Sequence, residues 1–137
     1  MITVIRWLLV PLSVALVAPA TVALGQKVIG LADQRCAPEH LIGGACVESW
    51  HTGTVELVIY IGCLILAVGV TLLPASIAPA GKRLVASIGY LLLLGAFVTG
   101  YVFTRWPEFF TPAAVAAVAG ALAVAWVFVR SRRDRSA

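Results

Sequence analysis

The side chains best suited to chemistry gather in one stretch of this chain. Cys36, His40, Cys46 and His51 follow one another with Cys-x3-His and Cys-x4-His spacings, interleaved with Glu39 and Glu48. Thiolates and imidazoles are the donors that hold zinc or copper, so four of them in a short stretch raise a metal reading. The spacing matches no compact zinc pattern, however, and two thiols in an oxidising compartment close on each other more readily than they keep a metal. Pro38, Gly43 and Gly44 lie between the two cysteines and let the chain turn back on itself. The expectation is a Cys36–Cys46 disulfide, with no metal ion and no cofactor. A redox-active thiol pair would call for the closer Cys-x-x-Cys arrangement.

A second group lies just beyond. Glu56, Tyr60, Cys63, Ala67 and Thr71 recur at intervals of three and four, so on a helix they share one face, while Leu57, Ile61, Leu64 and Val68 occupy another. That polar stripe is expected to face protein and not lipid. Glu56 falls about one turn inside an apolar run, where a carboxylate needs water, a proton or a cation. Two roles follow from this placement. In the first, Glu56 pairs with Arg105, expected at the same height on another helix. In the second, His51, Glu56, Tyr60 and Arg105 together form a polar binding site for a substrate or ion. Cys63, alone in an apolar helix, reads as a small packing residue.

Catalysis of the usual kinds finds no support in the residues. No Ser-His-Asp set, no carboxylate pair in a plausible pocket, no phosphate-binding glycine loop and no bis-histidine haem arrangement can be assembled. The chain is therefore expected not to be an enzyme.

The elements that must position these residues are read from hydropathy. Of the 137 residues 61% are apolar and 12% charged, and the mean hydropathy is +1.02. A soluble domain is about 45–50% apolar. The charges fall in short stretches between long apolar runs, the pattern of repeated membrane crossing. Four helices are predicted, at 7–24, 55–73, 84–103 and 113–129, each long enough for a bilayer core of about 30 Å. Arg6, the apolar run after it and Ala18-Pro19-Ala20 also fit a secretory leader; the expectation is a retained first helix, bent at Pro19. Residues 25–54 form the long loop. Pro74, Pro79 and Gly81 mark a tight turn between the second and third helices, and Trp106-Pro107-Glu108-Phe109-Phe110 an aromatic connection at headgroup level.

Orientation follows from the basic residues. With both termini inside, Arg6, Lys82, Arg83, Arg130, Arg132, Arg133 and Arg135 lie on the cytoplasmic side, and Lys27, Arg35 and Arg105 outside. This satisfies the positive-inside rule and predicts a multi-pass protein of the cell inner membrane with loop 25–54 outside. The net charge of +4 is then an anchoring feature against anionic headgroups, not a nucleic-acid surface.

The last helix carries Ala113, Ala117, Ala121 and Ala125 at intervals of four, with Ala116 and Gly120 repeating the pattern on an adjoining face. Small residues at such intervals let helix backbones approach closely. Two such faces on one helix exceed what packing within a bundle requires. The fold expected is an all-α four-transmembrane-helix bundle, a single membrane domain over 1–137. The function expected first is a non-catalytic small subunit that assembles with other membrane proteins. The alternative is a small homo-oligomeric transporter or channel using the stripe around Glu56. The third is a metal-handling or thiol-redox protein using the Cys/His loop.

Overall fold

The computed structural model describes the backbone of residues 2–43, 45–105 and 110–136, and side chains within these except at positions 2, 45, 104 and 133–136. Four helices carry the chain: α1 (Ile2–Asp33), α2 (Ser49–Ile77), α3 (Lys82–Thr104) and α4 (Phe110–Ser136). Each is long and apolar enough to cross a membrane. Between α1 and α2 a 3-10 turn at Pro38–His40 leads into two short antiparallel strands, β1 (Leu41–Ile42) and β2 (Ala45–Cys46), which pair Leu41 with Cys46. Gly43 in this hairpin takes φ +60°, a left-handed conformation that glycine adopts without steric cost.

The helices outrun their apolar cores. The first was expected to end at residue 24 and continues to Asp33; the second was expected to start at 55 and starts at Ser49. The long loop predicted over 25–54 thus shrinks to the turn and hairpin between Asp33 and Ser49. Apolar content marks only the stretch that lipid surrounds. Helical hydrogen bonding continues past it wherever no breaker intervenes, and Gly25-Gln26-Lys27 supplies no proline. Pro74 likewise does not end α2, which runs on to Ile77 and is capped by the Ala78 N–H donating to Pro74 O at 3.0 Å.

The helices alternate in direction. Antiparallel α1 and α2 meet at Val17 with Gly69, Thr21 with Gly62, and Val58 with Gly25. Antiparallel α3 and α4 meet at Tyr90 with Gly120, where Tyr90 Oη donates to Ala117 O at 3.1 Å. Among the described residues α2 packs extensively on all three others, while α1 makes its principal contacts with α2 alone. Two buried clusters hold α2, α3 and α4 together: Ala67, Leu93 and Ala116 midway, and Ala75, Ala86 and Val127 toward the arginine-rich end.

These contacts are tight because the residues are small. Pro74 has no N–H to give to Val70 O, and α3 closes on that carbonyl through Gly89. A Cβ at position 89 would come within 2.6 Å of Val70 O. The polar stripe is buried at one end only: Ala67 and Thr71 are fully enclosed, with Thr71 Oγ1 donating to Ala67 O at 2.7 Å, whereas Tyr60 and Cys63 are half-buried and Glu56 is exposed. The face continues into Pro74 and Ala75.

Candidate functional site

At the disulfide end, α2 and α4 part enough to leave a cavity of about 630 Å³. Its wall on α2 is set by helical spacing: His51, Val55, Glu56, Ile59 and Tyr60 project toward it, and Thr111 and Pro112 close it from the start of α4. Three of the four residues predicted to share a polar site, His51, Glu56 and Tyr60, therefore do line one cavity. Arg105 is not among its described lining residues.

The Glu56–Arg105 ion pair expected from equal height is not formed; each ion pair among the described residues joins a histidine to a carboxylate. Spacing says which residues share a face of α2 but not which neighbour that face meets. Glu56 faces the α2–α4 cavity. Arg105 caps α3, in the left-handed region at φ 48° with its N–H donating to Tyr101 O at 2.9 Å. The aromatic connection predicted over 106–109, with Glu108, lies outside the described residues.

His51 is buried, and its Nε2 stands 2.6 Å from Oδ1 of Asp33, the last residue of α1. This contact joins the end of one helix to the start of the next. Hydropathy alone places Asp33 in a loop; the extension of α1 beyond its apolar run brings the carboxylate opposite His51. The Trp50 ring meets the His51 ring edge-on at 5.8 Å between centroids, and Trp50 Nε1 donates to Glu48 Oε2. Glu48 also lies 3.6 Å from His40 Nε2.

Cys36 and Cys46 lie at disulfide distance, with sulfurs 2.08 Å apart, and both are buried. The bridge closes the hairpin at the Leu41–Cys46 pair. With these sulfurs joined, His40 turned to Glu48 and His51 turned to Asp33, the four candidate ligands point to separate partners and do not converge.

The remaining polar chemistry of the cavity is a carboxylate, a phenol and two threonine hydroxyls, Thr52 and Thr111. Such a set can accept hydrogen bonds from a cation or an amine, and Glu56 supplies the only formal charge among its described lining residues.

The small-residue faces of α4 divide. Ala116, Gly120, Ala123 and Val127 are buried in the bundle, and Ala113 and Ala117 are half-buried. Ala121 and Ala125, predicted to pack, are exposed, in a stripe with Ala114 and Val118. Apolar grooves flank the upper part of this stripe. One, of about 440 Å³, lies against Leu64 of α2; the other, of about 270 Å³, lies against Phe97 and Tyr101 of α3. Comparison with protein-family models, with curated proteins and with solved structures yields no match, so the reading of these surfaces rests on their geometry and chemistry.

Proposed function

We propose that the chain is a non-catalytic small subunit of a membrane assembly, docking a transmembrane helix of another chain on the exposed stripe of α4. We place it in the cell inner membrane with both termini cytoplasmic and the disulfide hairpin outside, on the strength of the uneven Lys/Arg distribution. The observation that carries the docking reading is the division of α4: Ala116, Gly120 and Ala123 are consumed inside the bundle, while Ala114, Ala121 and Ala125 remain open, with an apolar groove on either side of Ala114. In lipid, helices associate through close van der Waals packing, for which small residues beside grooves are suited.

The test uses the full chain with cysteine at Ala121 and Cys63→Ser, cross-linked in native membranes and purified in mild detergent. A stoichiometric cross-link to a different membrane protein, lost on blocking the stripe with Ala125→Trp, is the expected result. A cross-link to a second copy of this chain, in a discrete homo-oligomer, would overturn the proposal. It would favour the second reading, a small transporter or channel, which draws its support from the cavity holding His51, Glu56 and Tyr60. The third reading, metal or thiol chemistry in the hairpin, loses ground because its sulfurs face each other.

A further inference from the structure

The opposite end of the bundle holds a smaller cleft of different character. It has a volume of about 260 Å³ and opens where the end of α2, the start of α3 and the last turns of α4 meet. Leu72, Ala75 and Val127 form its floor, and Ser76, Lys82, Arg130 and Ser131 its rim. We propose that this cleft binds the phosphate headgroup of an anionic phospholipid, one molecule per chain.

Charge is the first argument. Lys82 and Arg130 are exposed at the rim, and no lysine or arginine among the described residues takes part in an ion pair. From Leu57 to the end of the sequence the acids are Glu108 and Asp134, both outside the described side chains. Among the described residues the rim therefore carries positive charge with no carboxylate beside it, at a helix end where anionic headgroups concentrate.

Geometry is the second. Arg83 is already engaged: its Nε donates to Ser131 Oγ, its Nη2 donates to Phe128 O at 3.5 Å, and its guanidinium lies 5.3 Å from the Phe128 ring centre. These contacts tie α3 to α4 and fix Ser131 at the rim. Arg130 rests against the Trp126 ring at 5.1 Å from its centre, which holds the guanidinium beside the opening, where its planar N–H fork matches a phosphate.

The amphipathic lining decides between a lipid and a free anion. A phosphate held by Lys82 and Arg130 leaves the apolar floor unfilled, whereas a phospholipid places its glycerol and first acyl carbons there. Trp126 is a residue type suited to the same interfacial depth. The volume lies below the roughly 300–1,000 Å³ of sites for drug-sized ligands, in keeping with part of a lipid lodged in the cleft and the rest in the bilayer.

The experiment is native mass spectrometry of the full chain released from micelles doped with phosphatidylglycerol or phosphatidylcholine. The expected result is saturable retention of one phosphatidylglycerol, with phosphatidylcholine displaced. Each of Lys82→Gln and Arg130→Gln should weaken retention roughly fivefold, and the pair roughly twenty-fivefold, from the contribution of one basic residue near a charged surface. Ser76→Trp, which fills the cleft without changing any charge, should also abolish it, and Arg105→Gln at the far end should leave it unchanged. Equal retention of both lipids, unsaturable uptake, or full binding by Ser76→Trp would overturn the proposal. Displacement of phosphatidylglycerol by millimolar inorganic phosphate would overturn it too, showing a site for a small free anion.

Discussion

Replacing Gly89 by alanine isolates the contact on which the α2–α3 interface depends. The added Cβ would stand 2.6 Å from Val70 O and 3.6 Å from Val70 C, against about 3.3 Å for a close carbon–oxygen contact. The shortfall of roughly 0.7 Å falls on backbone, which cannot rotate aside as a side chain would. Relief requires α3 to move off α2, opening the cluster of Ala75, Ala86 and Val127. Overpacking of this kind costs about 1–3 kcal/mol, partly offset by the 0.5–1 kcal/mol or so that alanine gains over glycine in a helix interior. Gly95 on the same helix removes that offset from the comparison, since a Cβ there meets nothing within 4 Å. Gly95→Ala should be neutral or slightly stabilising, and the difference between the two variants should be the overpacking cost alone. The assay is reversible unfolding of the full chain in mixed micelles of increasing SDS content, followed by helical circular dichroism. If Gly89→Ala and Gly95→Ala agree within about 0.5 kcal/mol, the close approach of α3 to Val70 O is not a feature of the folded protein, and the reasoning fails.

Cys36→Ser should loosen the hairpin by about 2–3 kcal/mol on a chain-entropy reckoning while leaving the helices inserted, with the bridge detected as a Cys36–Cys46 peptide in non-reducing mass spectrometry. Asp33→Asn and His51→Ala should each destabilise the α1–α2 junction, and a double-mutant cycle by the same unfolding assay should give a coupling of about 1 kcal/mol or more; a coupling near zero would contradict the 2.6 Å contact. Arg105→Gly should raise stability by up to about 1 kcal/mol because it relieves a left-handed cap, whereas Arg105→Val should lower it. Single cysteines near Lys82 should be shielded from an impermeant thiol reagent in intact cells and one near Val47 labelled, in a background free of other cysteines; labelling at Lys82 alone would invert the proposed orientation.

The four spans were legible because lipid imposes a simple requirement, an apolar run of sufficient length, and the chain meets it four times. The Cys36–Cys46 pair was legible because few residues separate the cysteines and Gly43 can turn. The helix ends were not, because residues such as Gln26, Lys27 and Ser49 are polar without breaking a helix. That single shortfall hid the Asp33–His51 contact. The Glu56–Arg105 pairing failed for another reason: a repeat of three or four says which residues share a face of α2, but not which neighbour that face meets. The inner half of the same stripe met α3 and α4, and its far end opened on a cavity. The division of α4 between buried and open faces depends on how α2 and α3 sit against it, which no single helix encodes.

That α1 makes its principal contacts, among the described residues, with α2 has a consequence for biosynthesis. α1 precedes α2 on the chain and so enters the bilayer before α2 is there to receive it, and until then lipid must suffice as its surroundings. Its outward residues fit that beginning: Val4, Leu8, Leu12, Leu16, Val22 and Leu24 are all bulky, apolar and exposed. α4 follows α2 and α3 on the chain, into a groove that those two have already built, and there Ala116, Gly120 and Ala123 slot in with little bulk to displace. The sequence of each helix thus suits its time of arrival. A chain interrupted after α2 should leave a stable hairpin in the membrane, while α4 alone would have its tightest contacts still to find.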